Sequence, residues 1–67
     1  MKTIDARGLS CPQPVILTQK AFKAGEKPFT VIVDNQVAVD NIKRFASSNK
    51  LSPSIKEING DFNITLG

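Results

Sequence analysis

The dipeptide Asn59-Gly60 constrains the fold more than any other feature of this 67-residue sequence. It stands between residues 54–58 and 61–66, two runs in which apolar and polar residues alternate as they do in β-strands. Asn-Gly is the pair most typical of a two-residue hairpin turn, because both residues tolerate positive φ angles. The end of the chain is therefore predicted to be a β-hairpin.

The turn also predicts the register of this hairpin, because a two-residue connection makes its flanking residues opposite neighbours. Ile58 then faces Asp61, and Ile55 faces Ile64. One side of the hairpin becomes apolar and the other mainly polar. The apolar side holds Ile55, Phe62, Ile64 and Leu66, and the polar side holds Lys56, Ile58, Asp61, Asn63 and Thr65.

Two strand–helix pairs are predicted before the hairpin. Residues 2–6 alternate in polarity, and residues 29–33 are rich in β-branched and aromatic side chains, so each run predicts a strand. Residues 12–24 and 36–49 each place apolar residues on one helical face. These stripes are Pro14, Leu17, Thr18, Ala21 and Ala24, flanked by Val15 and Phe22, in the first helix, and Ala38, Val39, Ile42, Phe45 and Ala46 in the second.

Capping residues separate these elements. Gly25 and Pro28 end the first helix. Asp34 or Asn35 caps the start of the second helix, and Asn49 suits the left-handed position after it.

The predicted order is βαβαββ, an α+β two-layer sandwich in which two helices cover one face of a mixed four-stranded sheet. The first two strands are parallel, joined by a right-handed crossover. Residues 1–67 then form a single domain. A domain of this size buries only about 60% of its surface, so we expect its chemistry in a shallow surface site.

The sequence contains one cysteine and no histidine. A single cysteine excludes an internal disulfide, which favours a reducing compartment, and we expect the cytoplasm. Without histidine we expect no metal site and no bound cofactor. No long apolar run predicts a membrane span or a secretory signal.

Nine basic and six acidic residues give a net charge of +3. A nucleic-acid-binding face could use Lys20, Lys23, Lys43 and Arg44. Tryptophan and tyrosine are absent, however, so few side chains can stack on bases. We therefore interpret the basic residues as a solvated surface and expect no nucleic-acid partner.

The single cysteine, Cys11, is followed by prolines at positions 12 and 14. With Cys11 as the helix N-cap, Pro12 and Pro14 become the first and third helical residues, where no N–H is needed. With Ser10 as the N-cap, Pro14 would be the fourth residue, and a helical hydrogen bond would be lost. The prolines therefore predict Cys11 as the N-cap, and they make the capping box of Ser10 and Gln13 a coincidence.

A sulfur at this position lies at the positive end of the helix dipole, near the free N–H of Gln13, which favours the nucleophilic thiolate. Arg7 either adds positive charge or points into solvent. A buried, inert thiol is the alternative, but an N-cap directly before two prolines is an exposed position. Pro14 stands where a second redox cysteine would be, so the pattern indicates a group carrier rather than a redox pair.

The stretch IDARGLSCPQPVILTQKAF (residues 4–22) resembles the N-terminal signature of the TusA/SirA/YedF family of small sulfur-carrier proteins. The matching residues are Asp5, Arg7, Gly8, Leu9, Cys11, Pro12 and Pro14. The resemblance implies a βαβαββ fold for the whole chain. It also implies that Cys11 accepts sulfane sulfur as a persulfide from a cysteine desulfurase or another donor, and passes it to an acceptor protein. Pro12 and Pro14 would shape the helix start, and Arg7 and Gly8 the loop beside it.

Asp34-Asn35 differs from the Asp-Pro that TusA-type members usually carry after the second strand. Together with NIKRFA (residues 41–46), it looks more like the YedF branch, which is associated with selenium metabolism. YedF-like domains are often the front half of a longer chain with a DsrE-like second domain, so this chain is either complete or such an N-terminal domain. We expect a monomer, because the outer face of the sheet is largely polar.

A regulatory protein-binding module without transfer chemistry is the alternative function. Ile16 lies on the polar side of the first helix, near Cys11, where it could anchor a partner. Single exposed apolar residues are also common on protein surfaces.

Overall fold

The computed structural model describes residues 2–10 and 13–67 and has the predicted order of elements. No helix in this described part of the chain is long and apolar enough to cross a membrane. The elements are β1 (Lys2–Asp5), α1 (Gln13–Lys23), β2 (Phe29–Val33), α2 (Gln36–Ser48), β3 (Ser54–Ile58) and β4 (Asp61–Leu66).

The four strands form one mixed sheet in the order β1-β2-β4-β3. β1 and β2 are parallel, as the crossover rule predicts, whereas β4 runs antiparallel to both of its neighbours. Helices α1 and α2 pack against each other and against the central strands β2 and β4. The two-layer sandwich predicted from the sequence is confirmed.

The hairpin has the predicted register. Ile58 pairs with Asp61 and Ile55 with Ile64, and Glu57 lies opposite Phe62. Asn59 and Gly60 both have positive φ angles, 52° and 85°, as a tight turn of this kind requires. Local turn chemistry thus sets the pairing of the last two strands.

The core lies between the sheet and the helices. The buried apolar residues of the strands are Phe29, Val31, Val33, Ile64 and Leu66, and those of α2 are Ala38, Val39, Ile42 and Ala46. Thr18 of α1 is also buried, and its hydroxyl donates a hydrogen bond of 2.8 Å to the carbonyl of Pro14. This bond satisfies the buried hydroxyl at no cost to the packing around it.

Two residues of the predicted apolar faces are exposed. Ile55 points to the helix side of the sheet but keeps 38% of its surface exposed, because β3 is an edge strand outside β4. Ala24 is exposed because α1 ends one residue earlier, at Lys23.

Both helices end in a left-handed residue, but only one of these was predicted correctly. Gly25 has φ +75°, and the N–H of Glu26 donates to the carbonyl of Ala21, as in a Schellman motif. After α2, the prediction for Asn49 is wrong, since its φ is −108° and Lys50 takes the positive angle of 58°. The helix ends at Ser48, so Asn49 is the C-cap and the next residue makes the turn.

Asn35, rather than Asp34, caps the start of α2. Its side-chain oxygen accepts a hydrogen bond of 2.8 Å from the N–H of Ala38, as an N-cap residue does. Asp34 is therefore free for a different role, in the candidate site.

Candidate functional site

The loop from Ala6 to Ser10 joins β1 to the start of α1 and leads directly to Cys11. Cys11 and Pro12 lie outside the described residues, so the predicted N-cap role of Cys11 and the predicted role of Pro12 in the helix start stay predictions. The residues on either side of this pair define the surroundings of the site.

Asp34 holds the loop against the end of β2. The N–H of Gly8 donates a hydrogen bond of 2.9 Å to Oδ2 of Asp34, and Nδ2 of Asn35 donates one of 3.1 Å to Oδ1. These two donors lower the pKa of the Asp34 carboxyl. Gly8 has φ +77°, a conformation that costs other residues about 1–2 kcal/mol, which explains a glycine here.

The β1 side of the loop is anchored as well. Ala6 is buried, and its N–H donates a hydrogen bond of 2.8 Å to the carbonyl of Ile32, which extends the pairing of β1 with β2. The carboxyl ends of two parallel strands thus carry the segment before Cys11, the edge at which open α/β sheets commonly form sites.

The Arg7 guanidinium lies between two carboxylates. Its Nε and Nη2 donate to the two oxygens of Asp5 at 2.9 and 2.8 Å, and Nη1 donates to Oδ2 of Asp61 at 3.1 Å. Hydrogen bonds to Asp5 and then to Asp61 raise the pKa of Arg7. The Arg7 side chain keeps 47% of its surface exposed within this ion-pair cluster. Its predicted effect on the sulfur stays a prediction, because Cys11 lies outside the described residues.

The N–H of Gln13 is not free. It donates a hydrogen bond of 2.9 Å to the carbonyl of Ser10. The prediction that this N–H is available to the sulfur is therefore wrong, because a backbone carbonyl three residues earlier accepts it. The dipole of α1 remains the feature expected to favour a thiolate at Cys11, whose own position lies outside the described residues.

The remaining predicted residues fall on the same end of the molecule. Pro14 is buried in the first turn of α1. Ile16 is half-buried and does not belong to the core cluster. Leu9, part of the signature, keeps 39% of its side chain exposed two residues before Cys11.

Sequence reasoning missed Asp34 and Asp61 as members of this site. Asp34 carries a readable signal, because it is a carboxylate directly after a parallel strand. Asp61 carries no such signal in the sequence, because it lies 54 positions from its partner Arg7. In the part of the chain that the structure describes, no cluster of histidine, cysteine and carboxylate side chains is suited to hold a metal ion.

The ion-pair cluster predicts a specific acid response. Hydrogen bonds from the side chain and backbone N–H of Arg7 lower the pKa of Asp5 from 3.8 to about 2. Because the folded pKa lies below the ordinary value, this carboxylate stabilises the fold above pH 3.8, and the stabilisation is lost as the pH falls towards 2. Carbon-detected NMR titration of the Asp5 carboxyl should give a midpoint of about 2.

Replacing Arg7 with glutamine should return the midpoint of Asp5 towards 3.8. A midpoint near 3.8 in the unmodified protein would contradict the ion-pair geometry.

The loop anchor can be tested at Asp34. Asp34→Ala removes the acceptor of the Gly8 N–H, so the Gly8 amide should exchange with solvent several-fold faster while the core amides stay protected. Asp34→Asn keeps a carbonyl oxygen at the same place and should restore most of the protection. Equal exchange of Gly8 in all three proteins would show that Asp34 does not hold the loop.

Known proteins resemble this chain along nearly its full length. The family model described as "Sulfurtransferase TusA" matches residues 2–67. A Methanocaldococcus jannaschii protein that carries the name of a sulfur carrier protein is 44% identical over 52 residues, which cover 73% of this chain and 68% of the relative. The crystal structure of a SirA-like protein from Desulfitobacterium hafniense superposes with a TM-score of 0.89 at 33% identity, over 98% of this chain and 95% of that one.

The two kinds of likeness agree with the signature around Cys11. The family match spans both helices and all four strands, and the superposition has the same extent. The chain therefore belongs to the TusA family.

Proposed function

We propose that this protein is a sulfur carrier that accepts sulfane sulfur on Cys11 as a persulfide and passes it to a partner protein. The observation that carries the proposal is the family match together with a single cysteine at the end of an anchored loop. The M. jannaschii relative named as a sulfur carrier protein supports the same role.

The transfer requires no change in the total oxidation state of the participants. The Cys11 thiolate attacks the outer sulfur of a donor persulfide, a new S–S bond forms, and the donor leaves as a thiolate. An acceptor thiolate then attacks the outer sulfur on Cys11, which leaves as the original thiolate. Each leaving thiolate takes up the proton that the attacking thiol released, so a chain without histidine is suited to this chemistry.

The surroundings of Cys11 favour transfer over hydrolysis. Arg7 is hydrogen-bonded to Asp5 and Asp61, and the sequence contains no histidine that could act as a general base. We propose that partners supply the remaining chemistry: a cysteine desulfurase or another sulfur-donor protein on one side, and an acceptor protein on the other. Ile16 and the exposed Leu9 are proposed contacts for these partners, because both lie within five residues of Cys11.

Three finer assignments belong to the same proposal. Asp34-Asn35 favours the YedF-like branch, for which selenium is the alternative cargo and a longer chain is common. The domain then works as a monomer in the cytoplasm, where free thiols persist. In such a context, selenium would be carried on the same Cys11 sulfur.

Intact-mass spectrometry tests the proposal. After incubation with a cysteine desulfurase and cysteine, the protein should gain the mass of one sulfur atom, and a reductant should remove it. Incubation with inorganic polysulfide, a small donor, should give the same product. A protein that gains no sulfur from either donor would refute the proposed function.

A further inference from the structure

A shallow groove of about 570 Å³ runs between α1 and α2 on the side of the helices away from the sheet. Val15 and Gln19 of α1 line one wall, and Arg44, Phe45 and Ser48 of α2 line the other. Most of the exposed lining is apolar. The half-buried Phe45 ring packs nearly perpendicular to the Phe22 ring, with 5.7 Å between the two centroids.

The groove lies on the basic side of the molecule. Residues 13–27 and 36–50, which contain the two helices and the turns after them, carry six basic and two acidic side chains. The rest of the chain carries three basic and four acidic side chains. Among the residues that the structure describes, Arg44 has no carboxylate partner, although it is exposed at the rim of an apolar groove. A surface of this kind complements an acidic partner with an apolar anchor.

The groove also begins close to the sulfur site along the chain. Val15 lies in the first turn of α1, four residues after Cys11. A protein seated between the helices would therefore lie near the start of α1, where Cys11 must receive the sulfur.

We propose that the groove between α1 and α2 docks an acidic surface of the protein that donates sulfur to Cys11. An apolar side chain of the donor contacts Val15 and Phe45, and a carboxylate pairs with Arg44. This inference rests on the proposed function and adds the surface and the chemistry by which the donor is recognised.

A protein fits this surface better than a nucleic acid does. Phe45 is the one aromatic side chain among the described residues that line the groove, so the groove offers no row of rings on which successive bases could stack. Lys43 lies about 100° around α2 from Arg44 and does not line the groove, so the two cations do not follow a single track for phosphates.

Matched substitutions on α2 test the inference. Arg44→Glu and Ser48→Trp change the groove, whereas Lys43→Glu and Ser47→Trp make the same changes at exposed neighbours outside it. Each variant is loaded separately by a cysteine desulfurase with cysteine and by inorganic polysulfide, and the rate of persulfide formation is followed by intact mass.

We expect both groove variants to lose at least about tenfold in loading rate from the desulfurase, equivalent to about 1.4 kcal/mol of docking free energy. Their loading from polysulfide should stay within about twofold of the unmodified protein, because the small donor needs no groove. Lys43→Glu and Ser47→Trp should load normally from both donors. Loading from the desulfurase should also weaken as salt rises, since the docking is electrostatic.

Any other result would contradict the inference, and the comparison of the two donors shows which part of it fails. Unchanged desulfurase loading in the groove variants, or an equal loss in the control variants, removes the groove from docking but leaves the proposed function in place. Loading of the unmodified protein by polysulfide alone removes the desulfurase as its donor. No loading by either donor refutes the proposed function itself. Binding of transfer RNA that Arg44→Glu abolishes, with desulfurase loading intact, would assign the groove to nucleic acid.

Discussion

Replacing Cys11 with serine is expected to abolish sulfur acceptance completely while the fold remains intact. A serine hydroxyl has nearly the size of a thiol, but it cannot form the S–S bond that holds the transferred sulfur. The sequence offers no second cysteine to substitute for it. After incubation with desulfurase and cysteine, intact mass should show no added sulfur, and thermal unfolding should match that of the unmodified protein.

A shifted thiol provides the matched control. Ser10→Cys combined with Cys11→Ser keeps one cysteine but moves it one position along the sequence, into the loop that follows β1. If the position at the helix start matters, this variant should load from the desulfurase far more slowly than the unmodified protein. If Cys11→Ser gained as much sulfur as the unmodified protein, the result would contradict the assignment of Cys11 as the sulfur acceptor.

Replacing Phe29 with alanine is expected to unfold most of the protein. Phe29 is fully buried on β2, paired with Lys2 of β1 and Leu66 of β4, so its ring fills the space between the sheet and the helices. A buried Phe→Ala change costs roughly 3–5 kcal/mol. A single core of this size supplies only about 3–5 kcal/mol in total, so the loss approaches the whole stability. Far-UV circular dichroism at 25 °C should show the loss of most helix signal.

Val37→Ala is the control for this experiment. Val37 is an apolar residue of α2 with 60% of its surface exposed, so its truncation should change the free energy of unfolding by less than about 0.5 kcal/mol. A Phe29→Ala protein that remains as stable as Val37→Ala would show that β2 does not form the centre of the core.

The elements that could be predicted from the sequence are those that depend on local chemistry. Asn59-Gly60 determines its own turn and therefore the pairing of Ile55 with Ile64. Gly25 ends α1 as predicted, because only a residue tolerant of positive φ suits that position. The parallel pairing of β1 with β2 follows from the handedness of the crossover, which is nearly invariant.

The features that were missed depend on contacts between distant parts of the chain or on competition between nearby acceptors. Arg7 meets Asp61 only because β4 lies next to β2 in the sheet, and neither residue indicates the other in the sequence. The N–H of Gln13 could be expected at the sulfur, but the carbonyl of Ser10 accepts it. At the end of α2, Lys50 rather than Asn49 adopts the left-handed conformation, because the helix ends at Ser48 and Asn49 is its C-cap.

The hydrogen bonds of Arg7 and Gln13 differ from those expected from the sequence, and they change the charges expected around the loop. Asp5, Asp34 and Asp61 lie around the loop before Cys11, and among the described residues Arg7 is the one cation bonded within that group. For the thiolate we therefore expect support from the dipole of α1, since Arg7 is bonded to Asp5 and Asp61. A partner that docks on the basic helical side, away from these carboxylates, is consistent with this arrangement.

Passage of sulfur from loaded Cys11 to a second thiol tests the central claim most directly. The protein is loaded by polysulfide, freed of excess donor, and mixed with glutathione, and both products are weighed. A carrier should lose the mass of one sulfur atom while an equal amount of glutathione persulfide forms. Sulfur that stays on the protein, or that leaves without appearing on glutathione, would contradict the account.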